Sequence, residues 1–166
     1  MSSPCSNLAL RPLLLAEGRH VGPLVASMDP WKTLGYGAKA LSLYLTKSDT
    51  GLERLAIVAA GRLVGVLCVR FPWLRGPFVE LLAVFPGDQA RGLGREVLAR
   101  VEAEPRWAGP NVWVTVSGFN GKARSFYERC GYREVAVLPR LVAPDGEERL
   151  LRKEVGGVAD WPAPPK

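Results

Sequence analysis

A glycine-rich turn joins an apolar strand to a helix in the segment LLAVFPGDQARGLG, residues 81–94. The first N–H groups of a helix have no partner within the helix, and they lie at the positive end of its dipole. Glycines let an anion approach such a backbone closely. The segment therefore predicts a binding site for a phosphate group. Helical periodicity supports the helix, because four apolar residues share one face: Leu93, Val97, Leu98 and Val101.

Two well-known phosphate-binding motifs do not occur in the sequence. The chain has no G-x-x-x-x-G-K-[ST] run, so it lacks a P-loop. A dinucleotide-binding fingerprint needs glycine or alanine three residues after Gly94, where Val97 stands, and an acidic ribose ligand on a following strand. What remains is Q-x-x-G-x-G, from Gln89 to Gly94. Taken alone, this pattern also fits an ordinary strand-to-helix turn with packing glycines.

A second motif lies downstream in VWVTVSGFNGKARSFYERCGY, residues 112–132. It predicts a strand, a helix capped by Asn120, and a helix stop at Gly131. With the loop at residues 89–94, it resembles the GCN5-related N-acetyltransferases, which share Q-x-x-G-x-G and N-x-x-A-x-x-x-Y-x-x-x-G-[FY]. The residues that match the second pattern are Asn120, Ala123, Tyr127, Gly131 and Tyr132. The resemblance covers residues 29–155 and is strongest over 78–132.

The resemblance implies an α/β fold with a mixed, mostly antiparallel sheet of six or seven strands, about four flanking helices, and strands that splay apart at the cofactor site. The hydrophobic patterns of the chain predict compatible elements. Strands are expected at 8–11, 54–60, 63–70, 78–85, 112–116, 132–138 and 147–153, and helices at 19–27, 36–47, 92–104 and 121–129. Residues 71–77 are predicted to be a loop. One domain is expected over residues 1–155, followed by a Pro-rich tail at 156–166.

The resemblance also implies a site for acetyl-CoA. The pantetheine arm would pair with the backbone of Leu82, Ala83 and Val84, and the N–H of Val84 is the candidate oxyanion donor. The pyrophosphate would meet the backbone N–H groups of residues 90–95, with added charge from two arginines. The residues of this loop are Gln89, Ala90, Arg91, Gly92, Leu93, Gly94 and Arg95. Asn120, which precedes Ala123 in the helix motif, would touch the cofactor or act as a plain N-cap.

Acetyl transfer to an amine needs a group that takes a proton from the amine and a group that protonates the leaving thiolate. Tyr127 occupies the general-acid position of the family. Within the family, the chain looks most like the branch that acetylates protein N-termini, whose members carry a glutamate where this chain has Thr115. Threonine cannot act as a general base near neutral pH. Glu80 is the predicted substitute, and its alternative role is a strand residue in a salt bridge.

Composition narrows the class of protein. The net charge is +6, but the 22 lysines and arginines are scattered, so no nucleic-acid partner is expected. Cys5, Cys68 and Cys130 form no CxxC pair, which argues against a disulfide framework and a zinc site and favours a reducing cytoplasm. No run of 18 apolar residues predicts a membrane span. His20 and Cys130 are assigned surface and packing roles.

The sequence thus predicts a cytoplasmic, metal-free N-acetyltransferase that is a monomer or a homodimer. Acetyl-CoA is the donor, and the acceptor is a primary amine on a protein N-terminus, a lysine or a small molecule. The alternative is a noncatalytic acyl-CoA sensor or a basic nucleic-acid-binding module on the same fold, which the threonine at position 115 supports. Trp31, Phe71 and Trp73 lie in segments that either wall the acceptor pocket or pack against the core.

Overall fold

The computed structural model describes residues 7–156; Cys5 and residues 157–166 of the predicted tail lie outside the described residues. The strands are β1 (Leu8–Pro12), β2 (Leu52–Ala59), β3 (Arg62–Trp73), β4 (Gly76–Val84), β5 (Asn111–Ser117), β6 (Arg133–Pro139) and β7 (Glu147–Glu154). The helices are α1 (Leu15–Ala26), α2 (Ala38–Thr46), α3 (Leu93–Ala103) and α4 (Gly121–Arg129), with a short 3-10 helix at Pro105–Trp107 that the sequence did not predict. Within residues 7–156, no helix has the length and apolar character needed to span a membrane.

The seven strands form one sheet in the order β1-β2-β3-β4-β5-β7-β6. Strand β5 pairs with β7, and β7 with β6, in antiparallel fashion. Strand β4 pairs with β5 in parallel, through Phe78 opposite Trp113 and Val79 opposite Val114. Helix α3 supplies the crossover that a parallel pair requires. The predicted mixed α/β fold is therefore confirmed.

The prediction of a loop at residues 71–77 is wrong, because β3 continues to Trp73 and β4 already starts at Gly76. Only Leu74 and Arg75 form the turn, with φ values of 39° and 64°. Left-handed backbone at both central residues is what a tight two-residue hairpin requires. The ring of Trp73 stacks on Phe78 at 4.7 Å, so aromatic packing across the hairpin outweighs the breaking tendency of the local proline and glycine.

Helix α1 begins at Leu15, four residues before the predicted start. The carboxylate of Glu17 accepts a hydrogen bond from the Leu14 N–H at 3.0 Å, which satisfies one of the unpaired donors of the first turn. Gly22 then lets α1 approach α2 closely, because an added Cβ there would lie 2.5 Å from the backbone nitrogen of Ser42. The cap determines where α1 starts, and the close approach at Gly22 determines how α1 packs against α2.

The contacts within the chain define two compact units. The first comprises residues 7–68 and Leu81–Val97, and the second Val69–Glu80 and residues 98–156. The single-domain assignment over residues 1–155 stays a prediction. The core of the first unit gathers residues of α1, α2 and the central strands: Val21, Val25, Met28, Leu41, Leu45, Leu52, Val66, Cys68, Leu81, Ala83 and Phe85. Buried residues of the second unit include Val79, Leu98, Val101, Val112, Val114, Tyr127, Tyr132 and Leu151.

Candidate active site

The loop that follows β4 in the first unit is anchored by a buried carboxylate. Asp88 is only 8% exposed. It accepts hydrogen bonds from the guanidinium groups of Arg62 at 3.0 Å and Arg91 at 3.3 Å. Both arginine side chains remain more than 60% exposed. Asp88 therefore holds the loop from inside, while the two cations that balance its charge stay accessible to an anion in solvent.

The backbone of this loop is shaped for close approach. Gly87, Ala90 and Gly92 have φ values of 91°, 61° and 77°. A Cβ added at Gly92 would meet no atom within 4 Å, so open space lies beside the last residue before α3. The helix then starts with the hydrogen bond from the Glu96 N–H to the Gly92 carbonyl at 3.1 Å. The first N–H groups of α3 thus border an open, glycine-lined surface.

The side chain of Gln89 ties the loop to the end of the preceding strand. Its amide donates to the carbonyl of Val84 at 2.8 Å. Along that strand, Leu82 and Val84 are half-buried and Ala83 is buried. Strand β3 packs closely against the same backbone, because a Cβ added at Gly65 would lie 2.4 Å from the Ala83 carbonyl oxygen. The predicted pantetheine-binding residues therefore belong to a tightly constrained strand.

In the second unit, Asn120 caps α4. Its side-chain oxygen accepts a hydrogen bond from the Ala123 N–H at 3.1 Å, so the plain N-cap role that the sequence left open is observed. Tyr127 lies two turns further along the helix and is 9% exposed. Its ring meets Tyr132 edge-on at 5.6 Å, and burial raises the pKa of its hydroxyl. The phenol is therefore protonated at neutral pH.

Glu80 forms the salt bridge that was predicted as its alternative role. Its two oxygens accept from Arg70, at 2.6 Å from Nε and 3.3 Å from Nη2. Both side chains are partly buried. A fork of this kind fixes the orientation of the carboxylate. The site-residue assignments, Glu80 as a base among them, stay predictions.

Sequence reasoning missed a second carboxylate. Glu148, on β7, is 6% exposed, and it accepts a hydrogen bond from the hydroxyl of Ser117 at 2.7 Å. Burial raises the pKa of this carboxyl, and the Ser117 hydrogen bond opposes the rise in part. The sequence contained one signal for this residue. Glu148 lies two residues before Leu150 and therefore shares its face of the strand, where an apolar residue is expected if that face is buried.

The remaining singled-out residues have ordinary surroundings. His20 is exposed, with its ring Nδ1 2.7 Å from the Ala16 carbonyl, which confirms a surface role. Cys130 is half-buried. Trp31 packs against the core of the first unit, and Trp73 against the ring of Trp113 at 5.4 Å. Within the described residues, no group of three or more histidine, cysteine or acidic residues is arranged to hold a metal ion.

The loop at residues 87–95 fits the pyrophosphate of a coenzyme A donor. Open space beside Gly87 and Gly92, the start of α3 and the exposed guanidinium of Arg91 together offer backbone donors and positive charge to an anion. The lone acid of the loop, Asp88, is already neutralised by its two arginines. The donor set therefore has the chemistry that a phosphate ester needs.

Comparisons with known proteins agree with this geometry. Residues 22–132 match the model of the Acetyltransferase (GNAT) family. The chain is 38% identical over 118 residues to blasticidin-S acetyltransferase of Streptomyces morookaense, which covers 71% of this chain and 79% of that protein.

Two solved structures show the same fold. A GNAT-family structure from Desulfovibrio desulfuricans superposes with a TM-score of 0.71 at 24% identity, over 90% of this chain and 99% of that one. Spermidine N-acetyltransferase from Vibrio cholerae, in complex with CoA and spermine, has a TM-score of 0.67 at 17% identity, over 89% and 95% of the two chains. The chain therefore belongs to the acetyltransferase (GNAT) family and is an acetyl-CoA-dependent N-acetyltransferase.

Proposed function

We propose that the acetyl acceptor is a primary amine on a small molecule, with blasticidin S as the first compound to test. The observation that carries this proposal is the extent of the similarity to blasticidin-S acetyltransferase, which is 38% identical and matched over 79% of its length. The matched 118 residues extend well beyond the two donor-site motifs at residues 89–132. The placement in the branch that acetylates protein N-termini stays a prediction, and a peptide acceptor is its direct competitor.

Donor binding is assigned to the first unit. The N–H groups of residues 90–95 bind the pyrophosphate, and the guanidinium groups of Arg91 and Arg95, both on exposed residues, add positive charge. Gln89 contributes by fixing the loop to Val84. The backbone of residues 82–84 pairs with the pantetheine arm, and the N–H of Val84 stabilises the oxyanion. Supporting this assignment are the anchored loop and the open space beside its glycines.

Acid catalysis is assigned to Tyr127 of the second unit. The thiolate of coenzyme A needs a proton as the carbon–sulfur bond breaks, and a phenol that stays protonated at neutral pH supplies one. Asn120 and Ala123 fix the start of the helix that carries this tyrosine. The amine base is not assigned to Glu80, because both of its oxygens already accept hydrogen bonds from Arg70. A cytoplasmic site of action is also proposed, supported by the lack of a CxxC pair in the sequence.

The test is acetyl transfer by the purified protein. Thiol release from acetyl-CoA and the mass of the acetylated product are measured with blasticidin S, spermidine and a peptide with a free N-terminus. We expect turnover with blasticidin S at a kcat/KM well above that for the peptide. Turnover with the peptide alone would overturn the small-molecule acceptor, and binding of acetyl-CoA without turnover on any amine would overturn the assigned activity.

Tyr127→Phe tests the acid. General acid catalysis contributes roughly 10²- to 10⁴-fold, so we expect kcat to fall within that range while the Kd of CoA is retained. Tyr132→Phe is the matched control in the same unit. The Tyr132 hydroxyl donates to Glu102 at 3.1 Å, and its loss should lower the free energy of unfolding by about 1 kcal/mol with little effect on kcat. Equal losses of kcat in the two variants would contradict the role of Tyr127.

A further inference from the structure

Glu148 and Ser117 share one face of the sheet with Thr115. Residues two apart on a strand point to the same face, and so do residues directly opposite each other on paired strands. Ser117 lies opposite Glu148, and Thr115 opposite Leu150. Glu148 is therefore the diagonal neighbour of Thr115, at a Cβ separation of roughly 7–8 Å that a long side chain can bridge.

The strand neighbours of Glu148 on its face of the sheet are two leucines and one serine. Across β6 its partner is Leu138, along β7 the next residue on its face is Leu150, and across β5 it meets Ser117. The two residues that flank Glu148 in the chain, Glu147 and Arg149, form an ion pair with each other. Within residues 7–156, Glu148 takes part in no ion pair.

One oxygen of Glu148 is engaged and the other is accessible. Oε1 accepts from the Ser117 hydroxyl at 2.7 Å. Among the described residues, the buried side-chain polar atom that lacks a partner is Nε of Arg149. Oε2 of Glu148 receives no hydrogen bond within the described residues and is not completely buried. A proton can therefore arrive at Oε2 from an acceptor or through a water molecule.

The carboxyl also lies where β5 leads into the helix of the proposed acid. The Gly118 N–H donates to the Glu147 carbonyl at 2.9 Å, and the Asn120 N–H donates to the Ser117 carbonyl at 2.8 Å. These bonds fix the start of β7 against the turn that precedes α4. Glu148 is therefore next to the turn from which the helix of Tyr127 starts.

We propose that Glu148 is the catalytic base that takes the proton from the acceptor ammonium, with Ser117 positioning its carboxylate. This inference rests on the proposed acetyl transfer and deepens it. An amine with a pKa near 10 is mostly protonated at neutral pH, so attack on the thioester requires a proton acceptor. The hydroxyl of Thr115 is not basic enough for this task. The raised pKa of the buried Glu148 carboxyl brings its proton affinity closer to neutral pH, where a base works best.

The steps balance in atoms and charge. The ammonium gives one proton to the Glu148 carboxylate, and the neutral amine then forms the carbon–nitrogen bond to the thioester carbonyl. As the carbon–sulfur bond breaks, the thiolate takes the Tyr127 proton. The nitrogen of the tetrahedral adduct loses its second proton, which restores the phenol through solvent. Glu148 passes its proton to water, so each turnover gives an amide, a free thiol and one released proton.

The experiment compares Glu148→Gln with wild type over pH 6 to 10, using the acceptor that gives turnover. Because a general base contributes roughly 10²- to 10⁴-fold, we expect kcat/KM of the variant to fall by that range at pH 7 with the Kd of CoA retained. The deficit should shrink about tenfold per pH unit toward the pKa of the amine, because the variant reacts only with amine that is already neutral. A merely structural loss would not produce this slope. The matched control is Glu154→Gln on the same strand, whose carboxylate pairs with Arg152 at 2.6 Å and is 69% exposed; it should leave kcat/KM and its pH profile unchanged.

A second variant distinguishes the loss of a base from a folding defect. Ser117→Ala keeps the carboxylate and removes its hydrogen bond, and we expect a loss of kcat/KM of about 10- to 150-fold together with a shifted pH profile, roughly the effect of one hydrogen bond to a charged group. Wild-type kcat/KM in folded Glu148→Gln would overturn the inference alone. Loss of turnover in Glu80→Gln with turnover kept in Glu148→Gln would overturn it in favour of Glu80. Absence of wild-type turnover on every amine would overturn the proposed function and this inference together.

Discussion

Gly65 on β3 offers a test of how strongly the strand at residues 82–84 depends on its packing. A Cβ at this position would lie 2.4 Å from the Ala83 carbonyl oxygen, and real Cβ atoms essentially never come within 3.0 Å of such an atom. The two backbones must therefore separate by at least about 0.6 Å, and Val84, whose Cα would lie 3.2 Å from the new atom, moves with them. The strain falls on the proposed pantetheine-binding segment.

The magnitude follows from this displacement. Overpacking of a buried site costs about 1–3 kcal/mol, so Gly65→Ala should lower the free energy of unfolding by that amount. A misplacement of about 1 Å in a catalytic arrangement costs about 10²-fold in rate. With a shift somewhat below 1 Å, we expect kcat to fall roughly 10- to 100-fold in the folded variant and the Kd of CoA to rise.

The assay combines urea unfolding, CoA titration and thiol release, with Gly61→Ala as the matched control on the same hairpin. Gly61 has a φ of 75° and open space around it, so alanine there costs about 1–2 kcal/mol of backbone strain without touching β4. The control should lose stability and keep kcat. A folded Gly65→Ala variant with wild-type kcat, or an equal loss of kcat in both variants, would refute the reasoning.

Two further predictions concern the first helices. Gly22→Ala should lower the free energy of unfolding by about 1–3 kcal/mol, because the new Cβ would lie 2.2 Å from Ser42 Oγ and 2.5 Å from the Ser42 nitrogen. This clash outweighs the gain of about 1 kcal/mol in helix propensity. Unchanged urea unfolding would contradict the prediction. Glu17→Gln tests the hydrogen bonds from Arg11 that lower the pKa of Glu17 to about 2. A depressed pKa contributes stability above the unfolded value of roughly 4.3 that is lost as pH falls toward 2, so the variant should lose about 1 kcal/mol at pH 7 and show a flatter stability profile over that interval. If the stability of the variant depended on pH as steeply as that of wild type, another group would be responsible for the pH dependence.

The proposed acid and base place opposite demands on their surroundings. Tyr127 must keep its proton until the thiolate forms, and burial of its ring raises its pKa. Glu148 must take up a proton from the amine, and burial raises the proton affinity of its carboxylate as well. Desolvation makes the carboxylate a stronger proton acceptor, whereas it makes the phenol, which is protonated at neutral pH in either case, a weaker acid. Burying a carboxylate costs stability, and active sites commonly carry such a cost.

The sequence alone predicted the features whose causes are local. The glycine loop, the helix face of α3 and the N-cap at Asn120 follow from hydrogen bonds and side-chain spacing within a few residues, and the α/β fold followed from the two motifs. The start of α1 and the loop at residues 71–77 were predicted wrongly. The first depends on a cap from Glu17, and the second on aromatic packing between Trp73 and Phe78.

Only the tertiary structure decided the surroundings of the carboxylates. Glu80 and Arg70 lie 10 residues apart in the chain, and Glu148 and Ser117 lie 31 apart. Their pairing depends on strand order and register, and a slip of one residue would turn every side chain of a strand to the other face. Residue type shows that a glutamate can act as a base. Which glutamate is held by an arginine and which is buried beside a hydroxyl is fixed by the register of the sheet, because contacts between distant strands leave no periodic signal in the sequence.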